Sequence, residues 1–146
     1  MREKLFNSRS VSDTEVVGAN LALSLCNAGR RRAFVALFGE MGVGKTAFSR
    51  GFCGALGIKN VHSPTYSVVN EYKTGKIPVF HFDMYRMESE DDLLSIGYED
   101  YLARDGFCIC EWSENIEDEI PTDAIRVTIS RTDGADGRSI RILTAD

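Results

Sequence analysis

The stretch Gly39-Glu40-Met41-Gly42-Val43-Gly44-Lys45-Thr46 has the form G-x-x-x-x-G-K-[ST], and it constrains the fold more than any other part of the chain. Such a P-loop cradles phosphate only where a strand leads into it and a helix leaves it. Both neighbours are legible. Ala33-Phe34-Val35-Ala36-Leu37-Phe38 is a short apolar run that reads as a buried parallel strand. Thr46 to Leu56 reads as a helix with Phe48, Phe52 and Leu56 on one face. This order aims backbone N–H groups and a helix N-terminus at one point, as a polyphosphate requires.

The residue types follow from that chemistry. Gly39, Gly42 and Gly44 allow backbone angles and an approach that a Cβ would block. The backbone of all eight residues, Glu40, Met41 and Val43 included, is assigned to the phosphates. Lys45 supplies a point charge to the β- and γ-phosphates, and Thr46 a hydroxyl to Mg²⁺.

At 146 residues the chain is read as one domain, residues 1–146, long enough for a real core. No apolar run approaches the roughly 20 residues that span a bilayer, and Met1-Arg2-Glu3-Lys4 opens no signal peptide. Cys26, Cys53, Cys108 and Cys110 form no C-x-x-C pair, so they read as free buried thiols of a reducing compartment, the cytoplasm. With His62 and His81 as the only histidines, a zinc site is not expected.

Charge is unevenly spread. Residues 1–60 carry 9 Lys/Arg against 4 Asp/Glu, and residues 61–146 carry 8 against 18. From Glu88 to Glu119 there are 12 acidic residues and one basic one, Arg104. Direct nucleic-acid binding would call for the opposite sign. The acidic stretch is either a solvated face or a patch for a basic partner protein. The triplet Arg30-Arg31-Arg32 reads as solvated surface.

Around the P-loop, Lys4 to Ser8 is a weak first strand. Ser12-Asp13-Thr14-Glu15 reads as a capping box opening a helix with Val16, Ala19, Leu23 and Cys26 at helical spacing, stopped by Gly29. Tyr66 to Tyr72 and Ile77 to Asp83 flank the turn Lys73-Thr74-Gly75-Lys76 as a hairpin. Ser89 caps a helix carrying Leu93, Leu94 and, past Gly97, Tyr101 and Leu102. Phe107-Cys108-Ile109-Cys110-Glu111 is a buried strand. Ala124 to Arg131 and Arg138 to Thr144 form a C-terminal hairpin. The expected fold is an α/β minimal P-loop NTPase domain: a mixed sheet, helices on its faces and a C-terminal antiparallel hairpin.

A P-loop needs a carboxylate at a nearby strand end to hold or orient Mg²⁺ and its water. Asp83 and Glu111 both qualify, and spacing does not choose between them. Thr65, in Ser63-Pro64-Thr65, stands where a switch loop senses the γ-phosphate, with a plain Ser-Pro turn as the lesser alternative. Arg86 is either a cation for transition-state charge or half of a structural ion pair. Trp112 either braces the site, meets a partner or packs in the core, and His81 reads best as a satisfied core histidine. No Asn-Lys-x-Asp guanine reader is present, which favours ATP.

Gly39 to Thr46, Phe48-Ser49-Arg50-Gly51-Phe52, Ser63-Pro64-Thr65-Tyr66, His81-Phe82-Asp83-Met84-Tyr85-Arg86 and Glu111-Trp112 together resemble the bacterial TsaE (YjeE-type) ATPase family, over essentially the whole chain. The resemblance implies binding of ATP, with ADP as product, and of Mg²⁺. It implies work with the TsaB–TsaD pair, which puts threonylcarbamoyl on the adenosine beside the anticodon of tRNAs reading codons that begin with A. In that family ATP hydrolysis resets the complex between turnovers, and a TsaC-type enzyme makes the threonylcarbamoyl-adenylate donor. The implied roles fall on Lys45 and Thr46 for phosphate and metal, Thr65 for the switch loop, and Asp83 and Glu111 for metal and water. Two positions depart from the family pattern. Ala47 stands where many members have a second Thr, which removes a hydroxyl contact to the α-phosphate, and Ser113 stands where many have Pro.

The resulting expectation is a small Mg²⁺-dependent ATPase, slow alone, that meets tRNA only through its protein partners. A small-molecule kinase and a nucleotide-gated binding module are the alternatives. The former lacks room for a lid, and the latter would tolerate a non-hydrolysable ATP analogue.

Overall fold

A computed structural model describes residues 1–64 and 67–145. The strands are β1 (Arg2–Ser8), β2 (Arg32–Phe38), β3 (Val69–Tyr72), β4 (Val79–Asp83), β5 (Gly106–Glu111), β6 (Ile125–Arg131) and β7 (Arg138–Thr144). The helices are α1 (Val11–Asn27), α2 (Lys45–Ala55), α3 (Glu90–Ser95) and α4 (Tyr98–Ala103), with a 3₁₀ segment over Ser113–Glu119. The strands form one sheet in the order β1-β7-β6-β2-β5-β4-β3. β6, β2, β5 and β4 are mutually parallel; β7 pairs antiparallel with β6 and β1 antiparallel with β7 on one flank, and β3 pairs antiparallel with β4 on the other. This is the mixed α/β sheet read from the sequence.

Alternation along the central strands divides the core into two layers. Ala33, Val35 and Leu37 of β2 and Phe107 and Ile109 of β5 meet Val17 and Leu21 of α1 and Phe48 and Phe52 of α2. Phe34, Ala36, Cys108 and Cys110 face the other way, onto Leu93, Tyr98, Ile116 and Ile120. α1 and α2 cross where each presents a glycine. A Cβ on Gly18 would lie 2.2 Å from the Phe48 carbonyl oxygen, and one on Gly51 would lie 1.8 Å from that of Glu15.

Four local expectations need correction. The N-cap of α1 is Ser10, not Ser12: its Oγ accepts from Asp13 N at 3.0 Å. Glu15 pairs instead with Arg50 of α2 at 3.1 Å. The first hairpin strand begins at Val69 rather than Tyr66, because Val68 adopts φ 68° while its carbonyl accepts from Asp83 N. The helix after Ser89 is two helices, broken at Gly97, whose φ of 74° is left-handed. Cys53, Cys108 and Cys110 are free and buried, whereas free Cys26 is only half-buried. Among the described residues no helix is long and apolar enough to cross a membrane.

Candidate functional site

The site grows from three strand ends. β2 runs into the P-loop, and its parallel neighbour β5 ends at Glu111. β4, parallel to β5 on the far side, ends at Asp83, the register partner of Glu111. Val79, Phe107 and Ile109 belong to the layer shared with α2, so by alternation His81, Asp83 and Glu111 share the face from which α2 starts.

The loop glycines are required by shape. Gly39, Gly42 and Gly44 have φ of 148°, 75° and 119°. A Cβ on Gly39 would also lie 2.6 Å from the Ile129 carbonyl oxygen. Lys45 Nζ donates to Gly39 O at 2.5 Å and sits 3.5 Å from the centroid of the Trp112 ring. Burial lowers the pKa of Lys45 below the usual lysine range, and the carboxylates of Glu114, Glu111 and Asp83 pull against that shift.

Glu111 links the parts. Its Oε1 accepts from Thr46 Oγ1 at 3.3 Å, and its Oε2 meets His81 Nε2 at 2.5 Å. His81 is fully buried and its Nδ1 has no hydrogen-bond partner, so a proton on Nε2 is the tautomer that suits both nitrogens. Asp83 Oδ1 accepts from the backbone N–H of Tyr85 at 3.0 Å. Both carboxylates are buried, Glu111 at 4% exposure and Asp83 at 8%.

After Glu111 the chain turns sharply. Trp112 adopts φ 60°, unusual for a bulky residue, and Ser113 Oγ ties the turn to Cys110 O at 2.8 Å. The turn lays the Trp112 ring 5.0 Å from that of Tyr85 and under Lys45. It also brings Glu114 back to the P-loop, where Oε2 accepts from Gly39 N at 3.1 Å. A cavity of about 640 Å³ lies between this turn, the P-loop and β6, lined by Phe38, Met41, Trp112, Glu114, Thr128 and Arg131.

Of the residues singled out from sequence, Lys45, Thr46, Asp83, Glu111, His81 and Trp112 converge here. Glu40 and Met41 are exposed on the loop, and Val43 and Ala47 are buried beneath it. Arg86 is exposed. Thr65 lies outside the described residues. The sequence reading missed Glu114, and it missed Arg131 and Arg138, whose guanidinium groups donate to the P-loop carbonyls of Met41 and Val43 at 3.0 and 2.7 Å. An acid three residues past a strand-end Glu is the one trace of Glu114. The two arginines left none, because strand ends are commonly charged.

Residues 8–140 match the family described as threonylcarbamoyl adenosine biosynthesis protein TsaE. Three relatives carry the name tRNA threonylcarbamoyladenosine biosynthesis protein TsaE. The one from Bacillus subtilis is 40% identical over 105 residues, 71% of this chain and 65% of the relative's own length. That from Haemophilus influenzae is 38% identical over 75% of this chain and 68% of its own. That from Rickettsia bellii is 31% identical over 89% and 91%. The crystal structure of Bacillus subtilis YdiB superposes with a TM-score of 0.81 at 27% identity, covering 99% of this chain and 87% of YdiB. The P-loop, both strand-end carboxylates and the parallel strands β2, β5 and β4 that join them fall within the matched stretch, and the chain belongs to the TsaE family of threonylcarbamoyl adenosine biosynthesis proteins.

Proposed function

We propose that this chain, one P-loop domain over residues 1–146, binds ATP and Mg²⁺ and hydrolyses ATP to ADP in the cytoplasm. In this reading hydrolysis lets a TsaB–TsaD complex turn over repeatedly as it adds threonylcarbamoyl to tRNAs reading codons that begin with A. The tRNA is met only through that complex. The observation that carries the reading is the contact of Thr46 with Glu111 at the mouth of the P-loop, beside buried Lys45.

The residues suit a Mg²⁺-nucleotide. Among the described residues no cluster of three or more His, Cys, Asp or Glu makes a protein-only metal cage. Mg²⁺ does not need one: a hydroxyl and one or two carboxylates, completed by phosphate oxygens and water, is its usual set. Thr46, Glu111 and Asp83 would hold it. When bound, Mg²⁺ neutralises phosphate charge and polarises the γ-phosphoryl group.

The chain's own residues do the rest. The loop amides and Lys45 bind and orient the β- and γ-phosphates. Glu111, held by His81, and Asp83, held by the Tyr85 amide, are fixed carboxylates for the metal and the attacking water, with Thr65 assigned to the switch loop. The Trp112 ring covers Lys45 and keeps bulk water from one side of its ammonium group. No arginine finger is assigned, so turnover is slow alone and rises with the partner complex.

The test is multi-turnover threonylcarbamoyl-adenosine formation with donor synthase, TsaB, TsaD and tRNA. The reaction is run with the chain, without it, or with Lys45→Ala. Product should stall near one turnover without the wild-type chain or with the variant, and continue with wild type. Equal product in all three reactions would overturn the reading.

A further inference from the structure

The C-terminal hairpin reaches the P-loop with two arginines that are register partners, Arg131 at the end of β6 and Arg138 at the start of β7. Arg131 Nη2 donates to Met41 O at 3.0 Å, and Arg138 Nε donates to Val43 O at 2.7 Å. They come from opposite sides. Arg131 lines the 640 Å³ cavity with Met41, whereas Arg138 lines a cavity of about 100 Å³ with Gly42, Gly44 and Ser10. The space around Gly42 is set by the first of them, since a Cβ there would lie 3.4 Å from Arg131 Nη2.

A peptide unit is planar and trans, so its C=O and N–H point in opposite directions. The Met41 carbonyl shares its unit with the Gly42 amide, and the Val43 carbonyl shares its unit with the Gly44 amide. A guanidinium on each carbonyl therefore fixes the amide on the other end of the same unit. Glycines have the widest choice of rotation about these units, so the fixing matters most there. We propose that Arg131 and Arg138 are positioning residues that orient the Gly42 and Gly44 N–H groups toward the phosphates by holding the carbonyl ends of the same peptide units. The assignment rests on the nucleotide reading above. Both donors are charged, and such hydrogen bonds are the stronger kind. Arg138 also donates to the turn carbonyls of Ala135 and Gly137, so its loss touches the hairpin as well, whereas the other contact of Arg131 is a 4.0 Å ion pair with Glu40 of the loop itself.

The experiment compares wild type, Arg131→Met, Arg138→Met and Lys45→Ala. It reads three quantities: amide NMR shifts of the ligand-free protein, thermal unfolding, and affinity for ADP and for inorganic tripolyphosphate, a probe without base or ribose. Arg131→Met should move the Gly42 amide most and Arg138→Met the Gly44 amide. Each should weaken ADP and tripolyphosphate by the same factor, about tenfold, with Arg131→Met leaving the melting temperature near wild type. Wild-type affinity in Arg131→Met and Arg138→Met overturns the proposal, as does a fall in melting temperature with no change in affinity. So does weakening of ADP alone, which would put the arginines on the nucleoside. Weakened binding with unmoved glycine amides also overturns it, because the arginines would then act on phosphate directly. A wild-type chain that binds neither probe brings down the nucleotide reading itself, an outcome distinct from all of these.

Discussion

Glu111 commits both oxygens inside the protein, one to a threonine hydroxyl and one to a buried imidazole. That geometry fits a carboxylate whose charge and orientation matter more than its bulk. Glu111→Gln keeps the shape and removes the charge. It should lower kcat for ATP hydrolysis by about 100-fold while the Kd for ADP stays within about threefold. Rapid-quench turnover and equilibrium titration on one preparation decide the matter. Equal losses in both would make Glu111 chiefly a nucleotide-holding group. Lys45 differs, because its ammonium is buried and only partly compensated by the nearby acids. The Lys45 contribution to fold stability should therefore rise with pH between its lowered pKa and the ordinary lysine value near 10.4, set against the opposite contribution of the buried thiols above about pH 8.5. Lys45→Met should flatten that rise in urea titrations, and an unchanged slope would count against a costly buried charge.

The pairing of α1 with α2 depends on two residues that weaken helices in isolation. Gly51→Ala pushes a Cβ into the Glu15 carbonyl and should destabilise the protein by about 3 kcal/mol. Gly54, one turn on in the same helix, leaves open space where a Cβ would sit, with nothing within 4 Å, and Gly54→Ala should stabilise by up to about 1 kcal/mol. Urea unfolding of the two variants measures the contrast, and similar effects would deny the close crossing. The same helices mark the limit of what the sequence disclosed. The apolar spacing of α2, the P-loop and the C-terminal hairpin are local signals and were legible, whereas α1 buries Val17, Leu21 and Leu25 and leaves Val16 and Leu23, read as its apolar face, exposed. The crossing at Gly18 and Gly51 was not, because a glycine inside a helix looks the same whether it weakens the helix or admits a neighbour. The α1 cap was ambiguous because Ser10 and Ser12 each stand three residues before an acid. The hairpin start slipped because the left-handed Val68 is held by a hydrogen bond from the neighbouring strand end. At the site, the contiguous loop was readable, whereas the contacts of Glu114, Arg131 and Arg138 with it span 75, 90 and 95 residues and exist only through the strand order.

For the whole molecule, the buried thiols set a pH limit. Burial pushes Cys53 and Cys108 up to about 12 and raises Cys110 as well. An unfolded thiol titrates near 8.5, so the folded state holds protons that the unfolded state has lost between that value and about 12. Stability should be unaffected by these groups below about pH 8.5 and fall above it, by about 1.4 kcal/mol per pH unit for each thiol. Urea midpoints at pH 8 and pH 10 test the slope, and no fall would contradict the burial. Thiol labelling of the native protein at pH 7.5 should be fast only at Cys26. The strand order carries one more consequence, for the chain as it is made. β2 lies between β5 and β6, so it has neither neighbour until residues 106–131 have left the ribosome. Before Gly106 emerges, α1 and α2 are already free to pair, but the apolar run from Ala33 to Leu37 has no partner strand on either edge. At about 5–20 residues per second that interval lasts several seconds. A nascent or truncated chain ending before Ile125 carries an open, sticky strand at its centre, and such fragments should bind holdase chaperones strongly and precipitate without them.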